Sequence, residues 1–179
     1  MSLIIDIDDI PEDRPLELDL TESVDQFAVD PEAGSLKGAV RVQGSLIRSN
    51  RDVYLAGEVE TVMAMTCSRC LEAFEMDVET PITATFIPAP DPDSLEAEQE
   101  LVDSDIEIEY YKDQKIDLTQ PVYDQIMLSL PMVQLCRDDC KGICPKCGAS
   151  LNREVCRCDG DEDVDPRLAV LKQLKDKLK

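Results

Sequence analysis

The sequence predicts an α+β fold: an antiparallel β meander forming a partly closed sheet covered by a helix, then a small C-terminal cysteine-knuckle module and a terminal helix. Three observations carry this expectation. Between Leu36 and Phe86 apolar residues recur at every second position. One helix-period stripe follows near Val122, and six of the eight cysteines fall between Cys136 and Cys158.

Taken in order, residues 1–30 read as an extended acidic lead-in, in which Leu16, Leu18 and Leu20 alternate with polar neighbours as an edge strand does. Val40, Val42 and Leu46 then share one face. After a polar turn at Ser49-Asn50-Arg51-Asp52, Val53, Leu55, Val59, Met63 and Met65 share another, which makes a long hairpin. A third strand places Phe74, Met76, Val78, Ile82, Ala84 and Phe86 inward and Glu75, Asp77 and Glu79 outward. Consecutive strands of this kind form an antiparallel meander.

Residues 88–105 carry Pro88, Pro90, Pro92 and many acidic side chains, with too little apolar surface to offset the entropy of ordering, and are expected to be a flexible acidic loop. Ile106, Ile108 and Tyr110 alternate as a fourth strand. Asp117 or Thr119 can cap a helix that admits Pro121 in its first turn, lines up Val122, Ile126, Met127 and Leu130, and ends at Pro131. At the C-terminus Asp165 caps, Pro166 opens, and Leu168, Leu171, Leu174 and Leu178 stripe a second helix. Its Lys172, Lys175, Lys177 and Lys179 gather toward the end that the helix dipole favours. The domain reading is a body over 1–135 and a cysteine-rich module with its helix over 136–179.

Composition narrows the function. The 179 residues, 43% hydrophobic, suffice for a core without disulfide staples. The acidic N-terminus and the lack of a long apolar run predict a cytoplasmic protein with no membrane span. Eight cysteines in such a chain point to thiolate metal ligands rather than disulfides. The absence of histidine removes the commonest general base and the commonest ligand of catalytic zinc, so no enzyme and no small-molecule substrate are expected. The net charge of −21 is uneven: residues 1–135 carry −22, 136–158 carry +2 and 159–179 carry −1. An acidic body repels nucleic-acid phosphates and suits basic partners, while only the cysteine-rich segment and the last helix can approach RNA without a large penalty.

The cysteines fall as Cys67-x-x-Cys70, Cys136-x3-Cys140, Cys144-x-x-Cys147 and Cys156-x-Cys158. A C-x-x-C turn folds two thiolates toward one ion, and Cys144-Pro-Lys-Cys147-Gly148 adds a proline at the turn entry and a glycine free to take a positive φ after the second ligand. Proximity assigns Cys144, Cys147, Cys156 and Cys158 to one zinc-knuckle site and leaves Cys67, Cys70, Cys136 and Cys140 for a second, long-range site. Two structural Zn2+ ions are therefore expected. Four thiolates close each shell, which leaves no open position for catalysis. A thiol-based, redox-controlled zinc switch is the alternative, since oxidation of such sites releases the metal.

With these motifs in hand, the chain resembles the YceD family of large-ribosomal-RNA-subunit accumulation proteins. The resemblance rests on Cys67-Ser-Arg-Cys70-Leu-Glu-Ala-Phe74, on Leu128-Ser-Leu-Pro131-Met, on the run from Leu135 through Cys140, Cys144 and Cys147 to Asn152, and on Asp165-Pro-Arg-Leu-Ala169. It implies a role in ribosomal RNA accumulation and ribosome assembly. On that footing Arg137, Lys141, Lys146, Arg153 and Arg157 are the expected contacts to a ribosomal protein or to large-subunit ribosomal RNA.

Overall fold

The computed structural model describes residues 3–27, 34–90 and 108–158. The strands are β1 (Ile4–Asp6), β2 (Leu16–Glu22), β3 (Ser35–Leu36), β4 (Val40–Ser49), β5 (Asp52–Thr66), β6 (Ala73–Pro88), β7 (Ile108–Tyr111) and β8 (Lys115–Asp117), and one helix, α1, spans Thr119–Ser129. The expected helix at Asp165–Leu178 lies outside the described residues, as do most of 88–105 and Ile106. The main sheet runs β2-β4-β5-β6-β7, with β3 also on β5. β2 and β7 stand at the ends of this path, and among the described residues no ladder joins them.

The period-two pattern places the core. Val40, Val42, Leu46, Val53, Leu55, Val59, Met63 and Met65 are each at most 2% exposed, while Glu75, Asp77 and Glu79 face solvent on β6. Ser49 pairs with Asp52 across the hairpin turn, and Asn50 takes φ 58° there, which asparagine tolerates better than most residues. Midway along, Gly44 faces Gly57. A Cβ on Gly57 would stand 2.2 Å from the Gln43 carbonyl oxygen and 2.9 Å from Gly44 Cα, so the two backbones approach as only glycine allows. β2 is an edge strand against β4 in the register Leu16↔Leu46 to Glu22↔Val40.

Three features depart from the sequence reading. Residues 3–10 are structural: Leu3, Ile7 and Ile10 belong to the core at 1–3% exposure, and β1 pairs with β8 in a separate two-stranded sheet. Leu3, Ile7 and Ile10 fall at helical spacing, yet the segment is a short strand followed by a 3-10 turn at Ile7–Asp9, so its pattern misleads. Second, the meander is antiparallel only as far as β6, for β7 pairs with β6 in parallel. The long connection from residue 89 to 107 permits this, since a parallel neighbour needs a connection of about a dozen residues or more. Third, Tyr111 rather than Tyr110 is buried; its hydroxyl donates to the Arg51 carbonyl at 2.7 Å, whereas Tyr110 is 61% exposed.

Helix α1 starts where the Asp117 carboxylate accepts from the Thr119 amide at 2.9 Å. Val122 and Ile126 are buried and join the same core as the sheet, and Gln125 donates to Thr80 Oγ1 on β6 at 3.0 Å. The helix ends at Ser129, two residues before Pro131, and delivers the chain to the cysteines.

Candidate metal centres

The β5–β6 connection is a knuckle. Cys67 N donates to Glu72 O at 2.9 Å and Leu71 N to Cys67 O at 2.9 Å. The second knuckle repeats this frame: Cys144 N donates to Ala149 O at 2.8 Å and Gly148 N to Cys144 O at 2.9 Å. The residue after the second cysteine is left-handed in both, Leu71 at φ 59° and Gly148 at φ 73°. Leucine at such a position is strained by about 1–2 kcal/mol, yet Leu71 is 64% exposed and so gains little burial in return.

Each knuckle meets two further thiols. After α1, Ser68 N donates to Gln134 O at 2.8 Å and Arg69 Nη1 to Cys140 O at 3.1 Å, which lays the 134–140 segment against the first knuckle. Cys67 and Cys140 sulfurs are then 3.8 Å apart, and those of Cys70 and Cys136 3.6 Å. In the second cluster Cys156 lies 3.5 Å from Cys147 and 3.3 Å from Cys144. Within each group, Cys67/Cys70/Cys136/Cys140 and Cys144/Cys147/Cys156/Cys158, all four sulfurs lie within 4.8 Å of one another.

These separations fit a tetrahedral four-thiolate metal. A Zn–S bond of about 2.3 Å gives a sulfur–sulfur edge of about 3.8 Å, and a disulfide would need about 2.05 Å. All eight thiols are free. The centres differ in setting. Cys67, Cys70 and Cys140 are at most 4% exposed and form a small buried cluster with Phe74 and Leu135 beside it, whereas Cys147 and Cys158 are exposed. The first spans distant sequence, with Cys70 and Cys136 separated by 66 positions; in the second, Cys147 and Cys156 are 9 apart.

The thiols of each cluster divide between low and high pKa. Burial pushes Cys67 up, but backbone N–H donors from Cys136, Cys70 and Arg69 outweigh it and bring the thiol down to about 6. Burial and its sulfur neighbours push Cys136 up to about 12. Backbone donors from Cys147 and Lys146 bring Cys144 down to about 6, and the Cys156 and Cys147 sulfurs push Cys158 up to about 12. Cys140 is lowered, first by the side chain of Asn152. Clustered sulfurs thus keep some of their protons, which a bound cation would have to displace.

Of the five basic residues, Arg137 is paired with Asp139 at 3.4 Å and Arg153 with Glu72 at 3.1 Å. Lys141, Lys146 and Arg157 are exposed on the same cysteine-bearing segment. Two residues that sequence reasoning passed over join the centres. Asn152 accepts from Lys141 N at 2.8 Å and donates from Nδ2 to Cys140 Sγ at 3.3 Å. Glu72 accepts from Ser150 Oγ at 3.3 Å and pairs with Arg153. Asn152 stands inside a motif whose cysteines draw the attention, and nothing in its spacing marks it as a partner of the other cluster.

Among the described residues no helix is long and apolar enough to cross a membrane. An uncharacterised protein of Mycobacterium tuberculosis is 36% identical over 122 residues, covering 68% of this chain and 55% of the relative. The large ribosomal RNA subunit accumulation protein YCED homolog 1, chloroplastic, of Arabidopsis thaliana is 27% identical over 159 residues, covering 78% and 49%. The uncharacterised protein YlbN of Bacillus subtilis is 29% identical over 136 residues, covering 75% and 73%. The chain thus spans about half the length of the mycobacterial and plant relatives. No solved structure matches. The family model for the large ribosomal RNA subunit accumulation protein YceD matches residues 55–175, from near the start of β5 through both cysteine clusters, and this chain belongs to the YceD family.

Proposed function

We propose that this protein is a non-catalytic, zinc-binding factor in large-subunit ribosomal RNA accumulation, acting by contact with a ribosomal protein or RNA. The carrying observation is the gathering of eight thiols into two four-sulfur clusters on a chain of this family. Four thiolates saturate a tetrahedral ion, so the metal has no position at which to activate water and serves the fold. Zinc suits an all-sulfur set of this size.

The division into an acidic body (1–135) and a cysteine-rich module (136–179) belongs to this reading. A body carrying −22 beside a segment of +2 favours a basic ribosomal protein over naked RNA as the direct partner. Arg137, Lys141, Lys146, Arg153 and Arg157, all exposed, are the contacts of the module. The test is binding of the metal-loaded chain to large-subunit RNA and to its isolated basic proteins at low salt. Binding to neither sinks the assembly reading.

The redox-switch reading draws on one observation, the exposure of Cys147 and Cys158. Mild peroxide should then release metal from the second centre and change partner binding; retention of both ions removes it.

A further inference from the structure

The two clusters touch through a side chain that is a ligand of neither. Asn152 sits on the loop between Cys147 and Cys156, inside the second centre, yet its side chain reaches the first. The Lys141 amide can only donate, so the atom that meets it at 2.8 Å is the Asn152 oxygen, and the amide nitrogen is left for Cys140 Sγ at 3.3 Å. Its loop is anchored just before it: Leu151 N donates to Gly142 O at 2.9 Å, and Ile143 bridges to Ser150. The same loop holds the first knuckle through Ser150 and Arg153 on Glu72.

An N–H donor on a metal-bound thiolate fixes its orientation and draws off part of its charge, and such outer partners are worth about 10–100-fold in metal affinity. The donor is in place only while its loop is folded. The second centre closes that loop with its own four thiols, two of them exposed.

We infer that Asn152 is a positioning residue for the first metal centre and couples the two: a metal in the second centre holds Asn152 on Cys140, so emptying the exposed centre loosens the buried one. The coupling is reciprocal, since each ion strengthens the binding of the other by the same factor. The protein therefore loses its metals in sequence, the C-terminal one first and the sheet-anchoring one after it. This inference rests on the two-metal reading.

The experiment measures the zinc affinity of each centre in the full chain by competition with a chromogenic chelator. Wild type should bind two ions, each more tightly while the other is in place. In Asn152→Ala both should bind about 10–100-fold more weakly. Asn152→Asp keeps the acceptor for the Lys141 amide but cannot donate to sulfur, so it should weaken them at least as much. Cys147→Ser should hold one ion, in the first centre, as weakly as Asn152→Ala does there, and the double variant should weaken it no further. With cobalt in place of zinc, loss of the sulfur donor should move the thiolate-to-metal band to longer wavelength, which a merely structural role would not do. A first centre that keeps its fully loaded wild-type affinity in Asn152→Asp or in Cys147→Ser overturns the coupling alone. A purified chain that takes up no zinc overturns the metal reading beneath it.

Discussion

Replacing Gly57 by alanine tests whether the close approach of β4 and β5 is built into the fold. The new Cβ would stand 2.2 Å from the Gln43 oxygen and 2.9 Å from Gly44 Cα, both backbone atoms that cannot swing aside. Relief requires the strands to part by about 1 Å, at a ladder flanked by Val42↔Val59 and Leu46↔Leu55, four residues at most 2% exposed. Overpacking of this kind costs about 1–3 kcal/mol, and one or two weakened ladder hydrogen bonds add about 1 kcal/mol each. The gain of about 0.5–1 kcal/mol from removing a strand glycine offsets part of it. The net expectation is a loss of about 2–3 kcal/mol, read as a lower urea midpoint by far-ultraviolet circular dichroism. Gly38→Ala is the control, because its nearest neighbour is Val62 Cγ2 at 3.5 Å, and it should move the midpoint little. If Gly57→Ala unfolds with wild type to within about 0.5 kcal/mol, the range of an ordinary surface change, the strands have slack there and the reasoning fails.

Three other outcomes follow from the same geometry. Ile7→Ala should cost about 2–5 kcal/mol in the same urea experiment, since Ile7 is 1% exposed; a loss below 0.5 kcal/mol would return the N-terminus to the status of a tail. Leu71→Gly should leave stability unchanged or raise it by up to about 1 kcal/mol, because relief of the left-handed strain outweighs the added freedom of the unfolded chain; a clear loss would mean that the exposed side chain packs after all. Metal affinity should rise with pH. Cys136 and Cys158, pushed up to about 12 without metal, must lose their protons to bind, so a proton competes with the ion across the neutral range and wins as pH falls. Competition titrations at pH 6, 7 and 8 should therefore give progressively tighter binding and proton release into weak buffer; affinity independent of pH would contradict the protonated clusters.

Much of this was legible in the sequence because it is written in local periods. The alternation along β4, β5 and β6 is strict, and one face must be buried, so the register and the inward set follow from it. The two C-x-x-C knuckles are local turns and show themselves for the same reason. What the sequence hid depends on partners far along the chain. Leu3, Ile7 and Ile10 are buried because β1 finds β8, and Ile5 pairs with Ile116 across that distance. No window around Ile7 contains that information. The parallel entry of β7 shows only in its register on β6, Thr85↔Ile108 to Pro88↔Tyr111, and Tyr111 is chosen over Tyr110 by the Arg51 carbonyl waiting for its hydroxyl. Asn152 is of the same kind: its loop is visible in sequence, and its target on Cys140 is not.

The span of the first centre also orders events in time. Closing the 66-position loop between Cys70 and Cys136 costs about 2 kcal/mol more entropy than closing the 9 positions between Cys147 and Cys156, a factor of about 20 in closure probability. A chain still folding can therefore complete its C-terminal cluster from neighbouring residues alone. The buried one must wait until the β5–β6 turn and the end of α1 have met. On the two-metal reading, a filled first centre would mark a chain whose sheet and helix are already in place, and metal capture there would be a late step of maturation rather than its nucleus.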